Sequence, residues 1–183
     1  MRASPNVRQG RGCYEWAGIG LSGACVSFAI HSPAFADNAP MPRECTCEGA
    51  ERSPPLQWSG APAGTRSFAL ILDDPDAPDP RAPQRTWVHW VLFNIPAATQ
   101  ELPEGAAQGR LPAGARQGIN DWNRATYGGP CPPVGRHRYV HTLYALDSML
   151  TGLDKPSKHR LLGAMKGHVL GEARLIGTYE LRS

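Results

Sequence analysis

The chain has 183 residues, 41% of them hydrophobic and 19% charged, a balance that indicates one globular domain with a substantial core. Its net charge is only +3 and is not gathered into a basic stripe, so composition gives no support to nucleic-acid binding. With 20 glycines, 18 prolines and no internal repeat, the sequence favours many short elements joined by turns, and it predicts a mainly β fold rather than a helical bundle.

The N-terminal residues differ in character from the rest of the chain. Residues 1–24 are predicted to be a disordered extension or a degenerate leader, and residues 25–183 the folded domain. The apolar run after residue 16 is diluted by glycines and broken by His31 and Pro33, so it is too weak for a transmembrane helix. We therefore expect a cytoplasmic protein with no transmembrane segment. The alternative is a periplasmic or secreted protein, exported through a degenerate signal with a cleavage-like Ala34-Phe35-Ala36 site.

The first half of the chain predicts three strands. A short apolar run at residues 26–30 predicts the first, and residues 37–60, rich in proline, glycine and cysteine, are expected to form an ordered loop. Residues 67–72 are apolar without alternation, which is typical of a strand buried on both faces. The next strand is predicted at residues 86–95, before a long polar loop at residues 97–126. A period of two residues places on one face of that strand Trp87, His89, Val91 and Phe93, and on the other Val88, Trp90 and Leu92.

The second half predicts two more strands with a helix between them. Residues 138–146 form the first of these strands, and the face that includes the residue before it carries His137, Tyr139 and His141. Ser157 is a suitable N-cap, and the helix after it would bury residues that recur every four positions, Leu161, Met165 and Val169. The last strand alternates clearly, and one of its faces carries Ala173, Leu175, Gly177, Tyr179 and Leu181.

Carboxylates, imidazoles and a phenol lie near the ends of the predicted strands. Asp74 and Asp76 belong to a turn that is stiffened by two prolines, because proline fixes the backbone and removes a hydrogen-bond donor. His89 lies on the next strand, and His137 and Tyr139 lie two residues apart on another. If these strands are neighbours, the polar side chains converge on one small site.

Such a site has the chemistry to bind an anion. A carboxylate beside a histidine fixes its tautomer and raises its basicity, and the imidazole can then donate an N–H to a phosphate or carboxylate. The phenol of Tyr139 adds a donor, while Trp87, Pro132 and Pro133 supply apolar walls. The pattern predicts a pocket for a small anion with an apolar flank.

Several neighbouring residues are assigned structural roles instead. His141 is expected to be a core residue, because single histidines inside a β-sandwich usually are. Asp73 and Asp79 are expected to be solvated turn residues that pair weakly with Arg81 or Arg85. Three tryptophans are expected to anchor the core or the loops: Trp58, Trp90 and Trp122.

Hydrolysis is the second class of function to weigh. A catalytic triad would need a nucleophile on a strained turn, and the sequence has no G-x-S-x-G motif. A metal hydrolase or phosphoesterase could use His89, His137 and Asp74, although neither H-E-x-x-H nor C-x-x-C is present. The spacing of Cys45-Thr46-Cys47 is too tight for a zinc knuckle. No catalytic residue, metal ligand or cofactor is therefore predicted, and the hydrolase remains the alternative.

Four motifs in this order resemble the signatures of one known family. They are Asp74-Pro75-Asp76-Ala77-Pro78, Trp87-Val88-His89-Trp90-Val91, Gly129-Pro130-Cys131-Pro132-Pro133 and His137-Arg138-Tyr139. Over residues 26–181 the chain resembles the phosphatidylethanolamine-binding proteins, also called Raf kinase inhibitor-like proteins, and is most similar to their prokaryotic branch. The resemblance implies a β-sandwich of two antiparallel sheets with a few short peripheral helices.

The resemblance also implies a function and a set of site residues. It implies a non-enzymatic binding or regulatory protein whose pocket accepts phosphate-like or phosphoethanolamine-like groups, with inhibition of a kinase or protease suggested by the family's naming. The protein target is not encoded, and a homodimer is an open expectation. A disulfide between Cys47 and Cys131 is implied as well. The residues that the resemblance places at or around the pocket are Asp74, Asp76, Trp87, His89, Tyr127, Pro132, Pro133, His137 and Tyr139.

Overall fold

The computed structural model describes residues 27–181, so the predicted N-terminal extension lies outside the described residues. One α-helix, α1 (Lys158–Met165), and two 3-10 turns, at Arg43–Cys45 and Ala106–Gln108, accompany the strands. In chain order the strands are β1 (Ala29–His31), β2 (Ala39–Pro40), β3 (Leu56–Ser59), β4 (Ser67–Asp74), β5 (Trp87–Pro96), β6 (Glu101–Leu102), β7 (Arg116–Gln117), β8 (His137–Leu146) and β9 (Val169–Tyr179).

The strands form two sheets. The smaller sheet has the order β1-β3-β6, and the larger has the order β2-β9-β8-β4-β5-β7. All pairs are antiparallel except β2 with β9, which run parallel over two residues. The predicted mainly β fold with two sheets and short helices is therefore confirmed. Within residues 27–181, no helix is long and apolar enough to cross a membrane.

Two hydrophobic cores lie on opposite faces of the larger sheet. Alternate residues of β4 contribute to each, which explains why residues 68–72 of this strand are apolar without alternation. The first core fills the space between the two sheets and includes Trp58 and Leu70. The second core lies between the larger sheet and α1, and includes Ile71, Leu161 and Met165. Burial of these side chains supplies the main driving force for folding.

An irregularity in β5 changes which face its side chains occupy. Trp90 pairs with Leu72 and Val88 pairs with Asp73, so the ladder to β4 passes over His89. A bulge of this kind adds one residue to a strand and re-aims its side chains. The prediction of strict alternation is therefore wrong beyond His89. Trp90 and Leu92 lie in the first core, whereas Val91 and Phe93 join Val88 in the second.

The structure corrects two other expectations about the elements. Residues 37–60, expected as loop, contain β3, whose Leu56 and Trp58 are buried in the first core. The helix begins as predicted, since the Ser157 hydroxyl accepts from the backbone N–H of Arg160, but it ends at Met165. Val169 is exposed and starts β9 instead. The long segment of residues 97–126, whose length indicates a functional loop or local structure, does contain short elements, including β6 and β7.

The structure confirms the expected role of His141 but not that of Asp73. His141 is fully buried in the sheet beside Phe35, as expected, and burial lowers its pKa to about 4. Asp73 does not pair with Arg81 or Arg85. Its carboxylate lies 2.5 Å from the Nζ atom of Lys158, at the start of α1, so it ties the helix to the larger sheet.

Candidate functional site

A cavity of about 460 Å³ opens at the edge of the larger sheet where β4 ends and where β5 and β8 begin. The turn after β4 forms one wall, and the proline-rich segment before β8 forms the other. The strand that carries His89, β5, and the strand that carries His137 and Tyr139, β8, are not direct neighbours. Both pair with β4, which lies between them and ends at Asp74, and this arrangement brings the two separated motifs together. The cavity is lined by Asp74, Ala77, Pro78, Gln84, Arg85, Trp87, His89, Trp122, Cys131, Pro132, Pro133, His137 and Tyr139.

Asp74 and His137 form a buried pair at the back of the cavity. One carboxylate oxygen of Asp74 lies 2.7 Å from the Nδ1 atom of His137, and the other accepts the backbone N–H of Asp76 at 2.8 Å. The Nε2 atom of His137 lies 3.0 Å from the carbonyl oxygen of Val134. Because a carbonyl and a carboxylate both accept, the ring satisfies both when each nitrogen carries a proton. Both ring nitrogens of His137 therefore face protein oxygens, while the residue lines the cavity; its direct contact with an anion stays a prediction.

Asp76 supports the turn rather than lining the cavity. The Nε and Nη2 atoms of Arg138 donate to its two oxygens at 2.9 and 2.7 Å, and the backbone N–H of Arg138 donates at 2.9 Å. The side-chain bond from Arg138 lowers the pKa of Asp76, so the carboxylate stays charged. This bidentate pair fixes the turn after β4 against the first residues of β8.

His89 is the bulged residue of β5, and Gly128 holds it by two hydrogen bonds. The backbone N–H of Gly128 donates to the His89 carbonyl at 3.0 Å, and the His89 Nδ1 lies 2.8 Å from the Gly128 carbonyl. A carbonyl can only accept, so Nδ1 carries a proton. Burial lowers the pKa of His89, which favours the neutral ring. Its Nε2 atom has no hydrogen-bond partner among residues 27–181.

Tyr139 lies beside His89 at the floor of the cavity. Its ring meets the imidazole edge-on, with the centroids 5.1 Å apart. The side chain is fully buried, and its hydroxyl has no hydrogen-bond partner within the described part of the chain. Burial raises the pKa of Tyr139 above its ordinary value, so the hydroxyl remains a proton donor.

Aromatic side chains and one arginine form the mouth. The Arg85 guanidinium lies over the Trp87 ring, 4.1 Å from its centroid, in a cation–π contact. The rings of Trp87 and Trp122 meet edge-on at 5.2 Å. Trp122 also meets His89 at 5.0 Å, and so closes the third side of the cavity.

A disulfide between Cys47 and Cys131 anchors the proline-rich wall, with 5.5 Å between the two Cα atoms. The backbone N–H of Cys47 also donates to the Pro130 carbonyl at 3.1 Å. The neighbouring Gly129 lies so close to this loop that a Cβ atom would sit 2.9 Å from the carbonyl oxygen of Cys45. The chain therefore passes here at a distance that only glycine permits.

Some predicted site residues lie away from the cavity, and some residues of the cavity were not predicted. Tyr127 is buried and does not line the cavity, and its hydroxyl donates to the Cys45 carbonyl at 2.7 Å, so it supports the neighbouring disulfide loop. Arg85 and Gln84 were missed, as was Trp122, which had been assigned an anchoring role. Arg85 lies two residues before Trp87, so strand alternation could have indicated it.

The metal-dependent alternative can be compared with the geometry. Among residues 27–181, no group of three or more His, Cys, Asp or Glu side chains is arranged to hold a metal ion. The residues named for that alternative were His89, His137 and Asp74, and both ring nitrogens of His137 already lie against protein oxygens.

Comparison with known proteins places this architecture in a family. A family model described as phosphatidylethanolamine-binding protein matches residues 31–180. A UPF0098 protein of Methanothermobacter thermautotrophicus is 51% identical over 151 residues, which cover 82% of this chain and 97% of that protein. A UPF0098 protein of Chlamydia pneumoniae is 42% identical over 149 residues, 81% of this chain and 96% of that one.

Two solved structures have the same fold. One is the phosphatidylethanolamine-binding protein homologue CT736 of Chlamydia trachomatis, with a TM-score of 0.78, 37% identity, and coverage of 85% of this chain and 99% of that one. The other is YBCL of E. coli, described as a member of the mammalian family, with a TM-score of 0.77, 34% identity, and coverage of 86% of this chain and 100% of that one. This chain therefore belongs to the phosphatidylethanolamine-binding protein family.

Proposed function

We propose that the protein binds a small anion with a phosphate-like or phosphoethanolamine-like group in the cavity, as a binding or regulatory protein without catalytic activity. The observation that carries the proposal is that two residues lining the cavity, whose rings meet edge-on, each keep a polar atom without a partner in the described part of the chain: the hydroxyl of Tyr139 and the Nε2 atom of His89. A buried polar group without a partner costs about 1–3 kcal/mol, and an oxygen of a bound ligand would recover that cost. Such groups persist where a ligand completes them.

The charge of the cavity supports an anionic ligand. The carboxylate of Asp74 faces His137 at 2.7 Å, and that of Asp76 is held by Arg138. Within residues 27–181, Arg85 lines the cavity without an ion pair, and its guanidinium is pre-oriented on the Trp87 ring. A planar guanidinium suits recognition of phosphate or carboxylate groups.

The same contacts support binding over hydrolysis. A hydrolase of this design would use His137 to move a proton or to hold a metal, but its Nδ1 and Nε2 atoms lie 2.7 and 3.0 Å from protein oxygens. A general base must reach the proton it abstracts, and His137 has no free position from which to do so. The description of the matching family, phosphatidylethanolamine-binding protein, also supports a binding role.

Calorimetric titration of the purified protein with inorganic phosphate and with phosphoethanolamine tests the proposal. We expect saturable binding that weakens about fivefold to tenfold in Tyr139→Phe, which removes only the hydroxyl, and similarly in Arg85→Ala. The control is His168→Ala, because His168 is exposed and pairs with Asp147 at the other end of β8. Absence of binding to both ligands, or turnover of a phosphate ester that is lost in His89→Ala, would contradict the proposal.

The disulfide supports the export alternative for the protein's location. Disulfides persist in oxidising compartments and are rare in a reducing cytoplasm, and Cys131 is exposed enough to be reduced. We therefore favour a periplasmic or secreted protein over the cytoplasmic expectation. Rapid thiol alkylation of native cells, followed by mass spectrometry, should leave Cys47 and Cys131 unmodified. Full alkylation of both would restore the cytoplasmic expectation.

A further inference from the structure

The hydrogen-bond inventory of His89 bears on which anions the cavity accepts. The Gly128 carbonyl, 2.8 Å away, requires a proton on Nδ1. In the neutral ring, the other nitrogen, Nε2, then carries a lone pair and is an acceptor. The bond from the Gly128 N–H to the His89 carbonyl, at 3.0 Å, holds this geometry from the backbone side. The cavity therefore presents an acceptor at a position where a ligand oxygen would lie.

We propose that the cavity selects phosphomonoesters over phosphodiesters and over sulfate, because the bound anion shares one proton with the Nε2 atom of His89. This inference rests on the proposed function, and it names the class of ligand. The shared chemistry is a tetrahedral anion that brings its own hydroxyl, whether that group is inorganic phosphate or a small organic monoester.

The proton balance separates the candidate ligands. A phosphomonoester loses its last proton with a pKa near 6, so part of it carries a P–OH group at neutral pH. That hydroxyl can donate to Nε2, and the same complex forms when the dianion meets a protonated ring. A diester and sulfate have no such proton at neutral pH. A diester or sulfate can bind only in two unfavourable ways. Either His89 is protonated, which burial disfavours, or an anion oxygen faces the lone pair of the neutral His89 Nε2 atom and is repelled.

The groups that face His89 do not supply the missing proton. Asp74 and Asp121 favour a charged ring, whereas His137 opposes it. His141 is uncharged at neutral pH because burial lowers its pKa to about 4. Asp74 and His137 are already engaged with each other at 2.7 Å.

Two further neighbours complete the surroundings of the ring. Tyr139 and Trp122 meet it edge-on and carry no charge, while Arg85 lies at the mouth. The hydroxyl of Tyr139 can donate to an ionised phosphate oxygen, and Nε2 can accept from the hydroxyl of the same phosphate. A cavity lined both by donors and by this one acceptor is the complement of a monoprotonated phosphate.

Matched probes test this selectivity by calorimetric titration near pH 7. Methyl phosphate and dimethyl phosphate differ by one methyl group, and sulfate is a dianion that controls for charge. We expect methyl phosphate to bind at least about tenfold more tightly than either of the others. Phosphoethanolamine against glycerophosphoethanolamine, a diester with the headgroup chemistry of an intact phospholipid, distinguishes a free metabolite from a lipid and should show the same order.

The pH dependence gives an independent readout. Above the pKa values of both partners, the complex takes up one proton, so the affinity for methyl phosphate should fall up to about tenfold for each pH unit above 7. A site that only donates hydrogen bonds would behave oppositely, since the dianion becomes more abundant as the pH rises. Titration in two buffers of different ionisation enthalpy measures the uptake directly.

Substitutions of His89 and of Tyr139 separate the effect of the acceptor from that of the donor. His89→Gln places an amide that can donate as well as accept, so the ratio between methyl phosphate and sulfate should fall towards one. Tyr139→Phe leaves the acceptor in place, so it should weaken all probes while keeping the ratio. Equal affinities for the three probes in the wild-type protein would overturn the selectivity and leave anion binding standing. Binding of none of them would overturn both.

Discussion

Replacing Cys47 and Cys131 with alanine should lower the free energy of unfolding by about 3–5 kcal/mol. The cross-link joins residues 84 positions apart, so it closes a loop of nearly half the chain. In the chain-entropy description, a loop of that length contributes about 4.5 kcal/mol, because it restricts the unfolded chain. For a domain of this size, we expect the melting temperature to fall by about 10–15 °C.

Denaturant unfolding of the two proteins checks both the size and the origin of this effect. If the disulfide acts on the unfolded state, the double variant should also show a larger dependence of unfolding free energy on denaturant, because its unfolded chain is more expanded. A reductant should destabilise the wild-type protein to the level of the variant and leave the variant unchanged.

Cys45 provides the control for this experiment. It is buried, and burial raises the pKa of its thiol to about 12, so it stays protonated and unreactive during reduction. Cys45→Ala should cost no more than about 1–2 kcal/mol and keep the wild-type denaturant dependence. A loss below about 1 kcal/mol in the double variant, or an equal loss in Cys45→Ala, would refute the loop-closure reasoning.

Three further substitutions concern one wall of the cavity and the packing on the opposite face of the larger sheet. Asp76→Asn should destabilise the protein by about 1–2 kcal/mol, an estimate that allows for the solvent exposure of Arg138. Arg138 lowers the pKa of Asp76 in the folded state below its usual value of 3.8. The stabilisation by the Asp76–Arg138 pair is therefore complete above pH 3.8 and is lost as the pH falls through the lowered pKa of the folded protein. The difference from wild type in acid unfolding should therefore shrink at low pH, and a constant difference would contradict it. Gly118→Ala should cost more than about 2 kcal/mol, since its Cβ would lie 2.1 Å from the backbone oxygen of Pro156. Gly163→Ala in α1 meets nothing within 4 Å and should stabilise by about 0.5–1 kcal/mol; thermal unfolding that gave both glycine variants the same sign would refute the packing argument.

Regular strands could be predicted from the sequence, and irregular ones could not. In β8 the period of two residues holds, so His137, Tyr139 and His141 share a face as expected, and in β9 it holds after a register shift at the first residues of the strand. In β5, the period fails because the ladder passes over His89, and nothing in the apolar run there marks a bulge. β3 was missed because it is only four residues long and lies between prolines and a glycine.

The candidate site shows a similar division. Residue types indicated Asp74 and Asp76 equally, but only the arrangement of β8 decides that Asp74 meets His137 while Asp76 meets Arg138. Trp122 belongs to a long loop, and its position depends on the Asn120 side chain, which accepts the Trp122 backbone N–H at 3.0 Å. Contacts of this kind depend on tertiary structure, so local sequence patterns do not reveal them.

Both cores stabilise the domain, but only the first of them, on one face of the larger sheet, adjoins the cavity. The cavity is continuous with the first core, because Tyr139 belongs to both, whereas α1 and the second core do not line it. Substitutions near Leu161 can therefore change the stability of the fold without reshaping the cavity. Evolution or design could adjust folding stability and the shape of the cavity separately, on two sides of a single sheet.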